Sequence, residues 1–144
     1  MSSPAIDLSV EAQNFNWLVS RFAKETGGVV AAIAVSSDGL LIASSSALER
    51  ANADRLAAIC TAMLSLAQGA SDCHPLGEPD KVVIELTQGY LLVCTISAGC
   101  ALGVLASQHA SLGTIAYEMT MFANSSSRAL TPQLIEQLKM TVGS

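Results

Sequence analysis

Hydrophobic positions recur along this chain with two different periods, and the switches between them divide it into elements. Over residues 10–25, Phe15, Leu18, Val19 and Phe22 fall at i, i+3, i+4 and i+7, one stripe of an amphipathic helix. Thr26-Gly27-Gly28 closes that helix, since glycine accepts a left-handed cap. Residues 29–35 are a continuous apolar run of strand length. "SSDG" over 36–39 carries the Asp-Gly signal of a hairpin, and 40–44 is the returning strand. On the first strand Val29, Ala31, Ile33 and Val35 share one face, and Val30, Ala32 and Ala34 the other. Both faces are apolar, which predicts cover on both sides.

A second helix is predicted over 50–69, with Gln68-Gly69 as its stop. A polar loop with two prolines, 71–81, leads to three strands at hairpin spacing, 82–86, 90–96 and 100–106. A third helix over 110–124 has Leu112, Ile115, Met119 and Phe122 as its stripe, and "NSSS" breaks it. Thr131 and Pro132 read as N-cap and first residue of a short terminal helix with Leu134, Ile135 and Leu138 on its apolar side. The order α-β-β-α-β-β-β-α, with that short helix appended, predicts an α+β fold: an antiparallel sheet with helices on its faces. We divide the chain into a loose tail at 1–9, a domain over 10–128, and a C-terminal helix and tail over 129–144.

The second helix breaks the amphipathic rule. In "DRLAAICTAMLSLAQGA", residues 54–70, Asp54, Thr61, Ser65 and Gln68 form one narrow polar face, with Arg55 beside it. Leu56, Ile59, Cys60, Met63, Leu64, Leu66 and Ala67 spread over roughly 200° of the remainder, where a surface helix needs a stripe of only ~100°. One side can lie on the sheet. The other must meet either the terminal helix of the same chain or a second molecule, and a second copy is the simpler cover.

Composition sharpens that picture. The chain has 144 residues, 51% of them hydrophobic and 13% charged, against a usual charged share of ~25%. The net charge is -5 and the seven basic residues form no cluster, which excludes nucleic acid and anionic membranes as direct partners. The start lacks the basic and apolar regions of a signal peptide, and no apolar run approaches the ~20 residues of a membrane helix. A cytoplasmic protein without direct membrane insertion is expected, peripheral to a membrane only through partners.

Chemistry is sparse. There is no GxxxxGK[ST] loop and no GxSxG. Cys60, Cys73, Cys94 and Cys100 include no CxxC pair and read as small buried thiols, although Cys94 and Cys100 flank a hairpin and strand register decides whether they can pair. His74, His109, Glu78 and Asp80 read as solvated surface groups. No catalytic residue, cofactor or metal is expected, and the chain is read as a non-enzyme. Two other readings have distinct requirements. A small-ligand sensor of similar α/β layout needs a cavity with convergent polar groups, and a thiol enzyme needs a reactive Cys73 or Cys60.

The ordered stretches "FNWLVSRFAKETGGVVAAIAVSSDGLLIASS", "ADRLAAICTAMLSLAQGA", "GYLLVCTISAGCALGVLAS", "LGTIAYEM" and "LTPQL" are spread along the chain from residue 15 to residue 134. Together they resemble the roadblock / dynein light chain domain family, in particular its bacterial (actinobacterial) branch encoded beside small Ras-like GTPases. The resemblance implies a five-stranded antiparallel sheet with the middle helix on one face and the first and last helices on the other. It implies a homodimer built on that middle helix and the edge strand after it, here Leu56, Ile59, Cys60, Met63, Leu64, Ala67, Val82 and Ile84. It further implies a non-enzymatic adaptor that binds a small Ras-like GTPase and modulates its nucleotide cycle or localisation. A sensor kinase or other products of the same gene cluster are further candidate partners. The polar face Asp54, Thr61, Ser65 and Gln68, with Arg55, is the candidate GTPase contact.

Overall fold

The computed structural model describes residues 8–45 and 47–143. Its elements are α1 (Leu8–Glu25), β1 (Val29–Ser36), β2 (Leu41–Ser44), α2 (Arg50–Asp72), β3 (Lys81–Leu86), β4 (Gly89–Ser97), β5 (Cys100–Ser107), α3 (Leu112–Ser126) and α4 (Pro132–Gly143). Most of the tail expected over 1–9 lies outside the described residues, and α1 begins inside its last two positions.

The five strands form one antiparallel sheet in the order β2-β1-β5-β4-β3. Both hairpins are local, and β5 returns to the centre to join them. β1 and β5 are covered on both faces because their side chains are apolar on both. Ala32, Ala34, Leu102 and Val104 face one core, while Ile33, Val35 and Ala101 face the other. The first core is closed by α1, α3 and α4, the second mainly by α2, with Val142 near the end of α4 packed against it. Phe122 of α3 meets Phe22 edge-on and Phe15 at a tilt, with centroids 5.5 and 6.2 Å apart, which locks α3 to α1.

The alternation predicted for β1 breaks at its start. The pairing with β5 slips between Val29 and Ala31, so Val30 is an extra residue, 57% exposed. This bulge turns Val29 toward the α1 side, away from Ile33. Gly28 takes a φ of 86° as the anticipated end of α1, and its missing side chain leaves room for Ala110.

Two predicted helix stops are overrun. α2 passes Gly69 and ends at Cys73, where Gln68 Nε2 donates to Asp72 Oδ1 at 3.1 Å across the last turn. α3 passes the first residues of "NSSS", with Ser125 Oγ donating back to Phe122 O at 3.0 Å. The terminal helix starts where anticipated, with Leu134 N donating to Thr131 Oγ1 at 3.1 Å. α4 does not lie across α2: Leu130, Leu134, Ile135 and Leu138 are buried with α1, α3 and the sheet. Its far end is nonetheless tied to the start of α2, because Arg50 Nη1 donates to the Val142 carbonyl while Arg50 Nε pairs with Asp54.

Candidate functional site

α2 approaches the sheet where the sheet has no side chain. A Cβ on Gly103 would stand 2.6 Å from the Cys60 sulfur and 3.3 Å from Ile33 Cγ1. That close seating fixes the rotation of α2. Ala53, Leu56, Ala57, Cys60 and Met63 are buried against Ile33, Val35, Leu91 and Val93. The opposite side carries Ile59, 41% exposed, and Leu66, 75% exposed.

The eight positions expected at a self-association face therefore separate. Leu56, Cys60 and Met63 point into the chain's own core, at 8%, 0% and 6% exposure, and a second chain cannot reach Cys60. The position of Gly103 sets which of the two apolar sides of the helix lies inward. Leu64 and Ala67 are half-buried, and Leu64 packs against the same core. Ile59 alone of the helical set is open. Val82 is half-buried while Ile84 is 37% exposed. Both pair with β4 residues that lie under α2, Val93 and Leu91, so their side chains project on the α2 side. Leu86, 53% exposed, continues that row. β3 ends the sheet, and among the described residues no strand lies beside its outer edge. An apolar helix side and an apolar, open sheet edge thus lie on the same side of the molecule. Leu66 and Leu86, which sequence reasoning left out, belong to it; the former was visible as an apolar residue on the side away from Cys60.

The polar face of α2 divides as well. Asp54 is exposed and held by Arg50 Nε at 3.0 Å; Arg55 is exposed. Thr61, Leu64, Ser65 and Gln68 instead line a groove of about 220 Å³, whose other wall includes Ser37, Thr95 and Ser97. Thr61 Oγ1 donates to Ala57 O at 3.1 Å. Thr95 was legible as the one polar residue in the row Leu91, Val93, Thr95; Ser37, from the β1–β2 turn, was not, and Ser97 joins it at the end of the same strand.

The remaining candidate chemistry is dispersed. Burial pushes the Cys60 thiol up to about 12, Cys94 to about 11 and Cys100 to about 12, so all three are neutral thiols at ordinary pH. Cys60 is also closed off from solvent, at 0% exposure. Cys73 is exposed at the end of α2, and all four cysteines are free. Cys94 stands opposite Leu102 and Cys100 opposite Ser97, so the register does not bring the two cysteines face to face. His74 and His109 are both exposed, in separate loops. Asp80 pairs with Lys81 at 3.0 Å, and Glu78 is exposed beside Pro79. Among the described residues no group of three His, Cys, Asp or Glu side chains is placed to hold a metal ion, and no helix is long and apolar enough to cross a membrane.

A family description of the Roadblock/LC7 domain matches residues 15–106, from the middle of α1 through β5. The chain belongs to the Roadblock/LC7 domain family. A crystal structure of a Roadblock/LC7 domain from Streptomyces avermitilis is 31% identical, with a TM-score of 0.74 over 78% of this chain and 94% of that one. MglB from Myxococcus xanthus shares the fold at 16% identity, with a TM-score of 0.72 over 80% of this chain and 93% of that one. An MglB with a tetrameric arrangement matches at 17% identity and a TM-score of 0.72, over 94% of this chain and 95% of that one. The last alignment extends past the family match into the C-terminal helices. No curated protein sequence matches the chain.

Proposed function

We propose that this Roadblock/LC7 chain is a non-enzymatic homodimeric adaptor for a small Ras-like GTPase. The observation that carries the reading is the exposure of Ile59 and Leu66 of α2 and of Ile84 and Leu86 of the edge strand β3, apolar side chains on one side of the sheet. A second copy related by a two-fold axis would cover helix with helix and extend sheet with sheet, burying side chains that water otherwise touches. The tetrameric arrangement of an MglB supports self-association as a property this fold accommodates. Pairing would leave the polar face of α2 and its groove on the outside of the dimer. The GTPase would sit there, where the adaptor modulates its nucleotide cycle or localisation without contributing a phosphate-binding loop of its own.

Light scattering of the pure chain tests the first half, with twice 14.9 kDa as the expected mass. Co-purification with candidate small Ras-like GTPases, loaded with GDP or with a non-hydrolysable GTP analogue, tests the second. Binding in one nucleotide state is the expected result. An intact dimer that binds the GTPase in neither state would overturn the reading.

A further inference from the structure

A cleft of about 660 Å³ lies between the second half of α1 and the start of β1, and Trp17, Arg21, Lys24 and Val30 are in its lining. Its apolar groups are open: Trp17 is 59% exposed and Val30, the bulged residue, 57%. Arg21 is matched by Glu25 at 3.1 Å, whereas Lys24 enters no ion pair among the described residues. The chain has a net charge of -5 and seven basic residues, so an unmatched cation beside exposed apolar side chains sets this corner apart. The α2–β3 loop has the opposite character. Over 72–80 it holds Asp72, Glu78 and Asp80 and no lysine or arginine. Asp72 accepts from Gln68 and Asp80 pairs with Lys81, while Glu78 enters no ion pair among the described residues. Two positions before it, Leu76 is 82% exposed, more than any other large apolar side chain described. The loop holds this tip by its own bonds. Leu76 N donates to His74 O at 2.7 Å, Ser71 Oγ donates to Gly77 O, and Gly77 takes a φ of 92°. A tip fixed before contact loses less entropy when it is buried.

Loop and cleft are complementary in charge and in apolar surface, yet they cannot meet within one chain. The loop enters β3 at Lys81, opposite Cys94 near the end of β4, whereas the cleft adjoins the start of β1, opposite the end of β5. β1 and β3 also stand three strand spacings apart, about 14 Å. We propose that the cleft receives the α2–β3 loop of a second copy, with Leu76 against Trp17 and Val30 and Glu78 at Lys24. The two surfaces differ, so the contact is heterologous. Each copy offers its loop to one neighbour and its cleft to another, and the association propagates instead of closing. It uses neither the open side of α2 nor the outer edge of β3, so it adds to the pairing proposed above and does not depend on it. A loop tip in a cleft buries less than the ~1,200 Å² of a standard interface, so the association is weak and shows at high concentration.

Sedimentation velocity of the pure chain over a dilution series from about 10 μM to about 1 mM, the range of weak association, tests it. The weight-average sedimentation coefficient of the wild type should rise with concentration above that of the dilute species, and rise less in high salt. Leu76→Ser removes the apolar tip and Lys24→Glu reverses the cation. Each should weaken the association tenfold or more, while circular dichroism and the mass at low concentration stay those of the wild type. The double variant Lys24→Glu/Glu78→Lys exchanges the two charges and should recover the rise. A wild-type coefficient that does not rise overturns the inference. So does a rise that survives either Leu76→Ser or Lys24→Glu, or one that the exchanged charges fail to restore.

Discussion

On one face of the sheet three helices bring Phe15, Val19, Ile115, Met119, Leu134 and Leu138 to 3% exposure or less. On the other, α2 is the one helix laid over Ile33, Val35 and Val93, with Val142 from the end of α4 beside it, and it keeps Ile59 and Leu66 turned outward. Exposed apolar residues exist on the first side too: Trp17 lies beneath the Arg21 guanidinium, 5.3 Å from its ring centre, and Leu18 and Met121 line a groove between α1 and α3. The difference teaches that a face can be closed by its own chain and yet leave the closing element unfinished. A helix with two apolar sides, placed as the only layer on its face, has work for just one of them.

Charge placed at equivalent depth should separate the two faces. Met119→Asp puts an unpaired carboxylate in the three-helix core, where it costs several kcal/mol of a typical total of ~5–15 kcal/mol. The expected result is an unfolded chain by circular dichroism. Leu66→Glu should leave the chain folded and halve its light-scattering mass. Met63→Glu, one turn away from Leu66, should behave as Met119→Asp does, because Met63 faces the sheet. A folded monomer from Met63→Glu would break the comparison by exchanging the two sides of α2.

The seat of α2 gives a smaller and more local effect. At Gly103 an added methyl meets the Cys60 sulfur at 2.6 Å, so the helix must lift or Cys60 must turn. Overpacking of this kind costs about 1–3 kcal/mol, and the expected result is a lowered urea midpoint with an unchanged slope. The double variant Gly103→Ala/Cys60→Ala should recover part of the loss, which a strand defect unrelated to α2 would not allow.

How much of this was legible before the structure follows from the same contrast. The elements of the three-helix face were readable because their stripes are narrow: Phe15, Val19 and Phe22 can only point inward. Leu18, counted in that stripe, lies at its margin and is 36% exposed. On α2, periodicity could locate the helix and its polar face but could not rank two apolar sides; only the glycine of another strand does that. Gly69 was read as a stop because glycine disfavours helix, yet the penalty is only ~1 kcal/mol, and the bond from Gln68 to Asp72 spans it. The groove was half legible. Thr61, Ser65 and Gln68 were visible as a helical face, whereas Ser37, Thr95 and Ser97 reach it only because β5 inserts between β1 and β4.

The smallest expected effect concerns the latch that holds α4 on the three-helix face. Lys139 Nζ donates to Glu136 Oε1 at 3.0 Å and to Asp38 Oδ2 at 3.1 Å, tying α4 to the β1–β2 turn. The hydrogen bond from Ser36, and then that from Lys139, hold Asp38 below its ordinary 3.8. The bonds to Glu136 and Asp38 hold Lys139 above its ordinary 10.5. A depressed carboxylate contributes stability above about 3.8 and loses it as the pH falls through its lower folded value; a raised lysine contributes below about 10.5 and loses it as the pH rises through its higher one. Lys139→Met should therefore lower the melting temperature between those limits, by less than Gly103→Ala does. The gap to the wild type should narrow toward acid and toward strong base, and shrink in high salt, because these charges meet solvent. Since Leu134, Ile135 and Leu138 are buried whatever the latch does, α4 should stay protected in hydrogen exchange. If the variant instead frees α4, the three-helix face would depend on a surface charge, and the contrast between a face closed by its own chain and one left open would lose its basis.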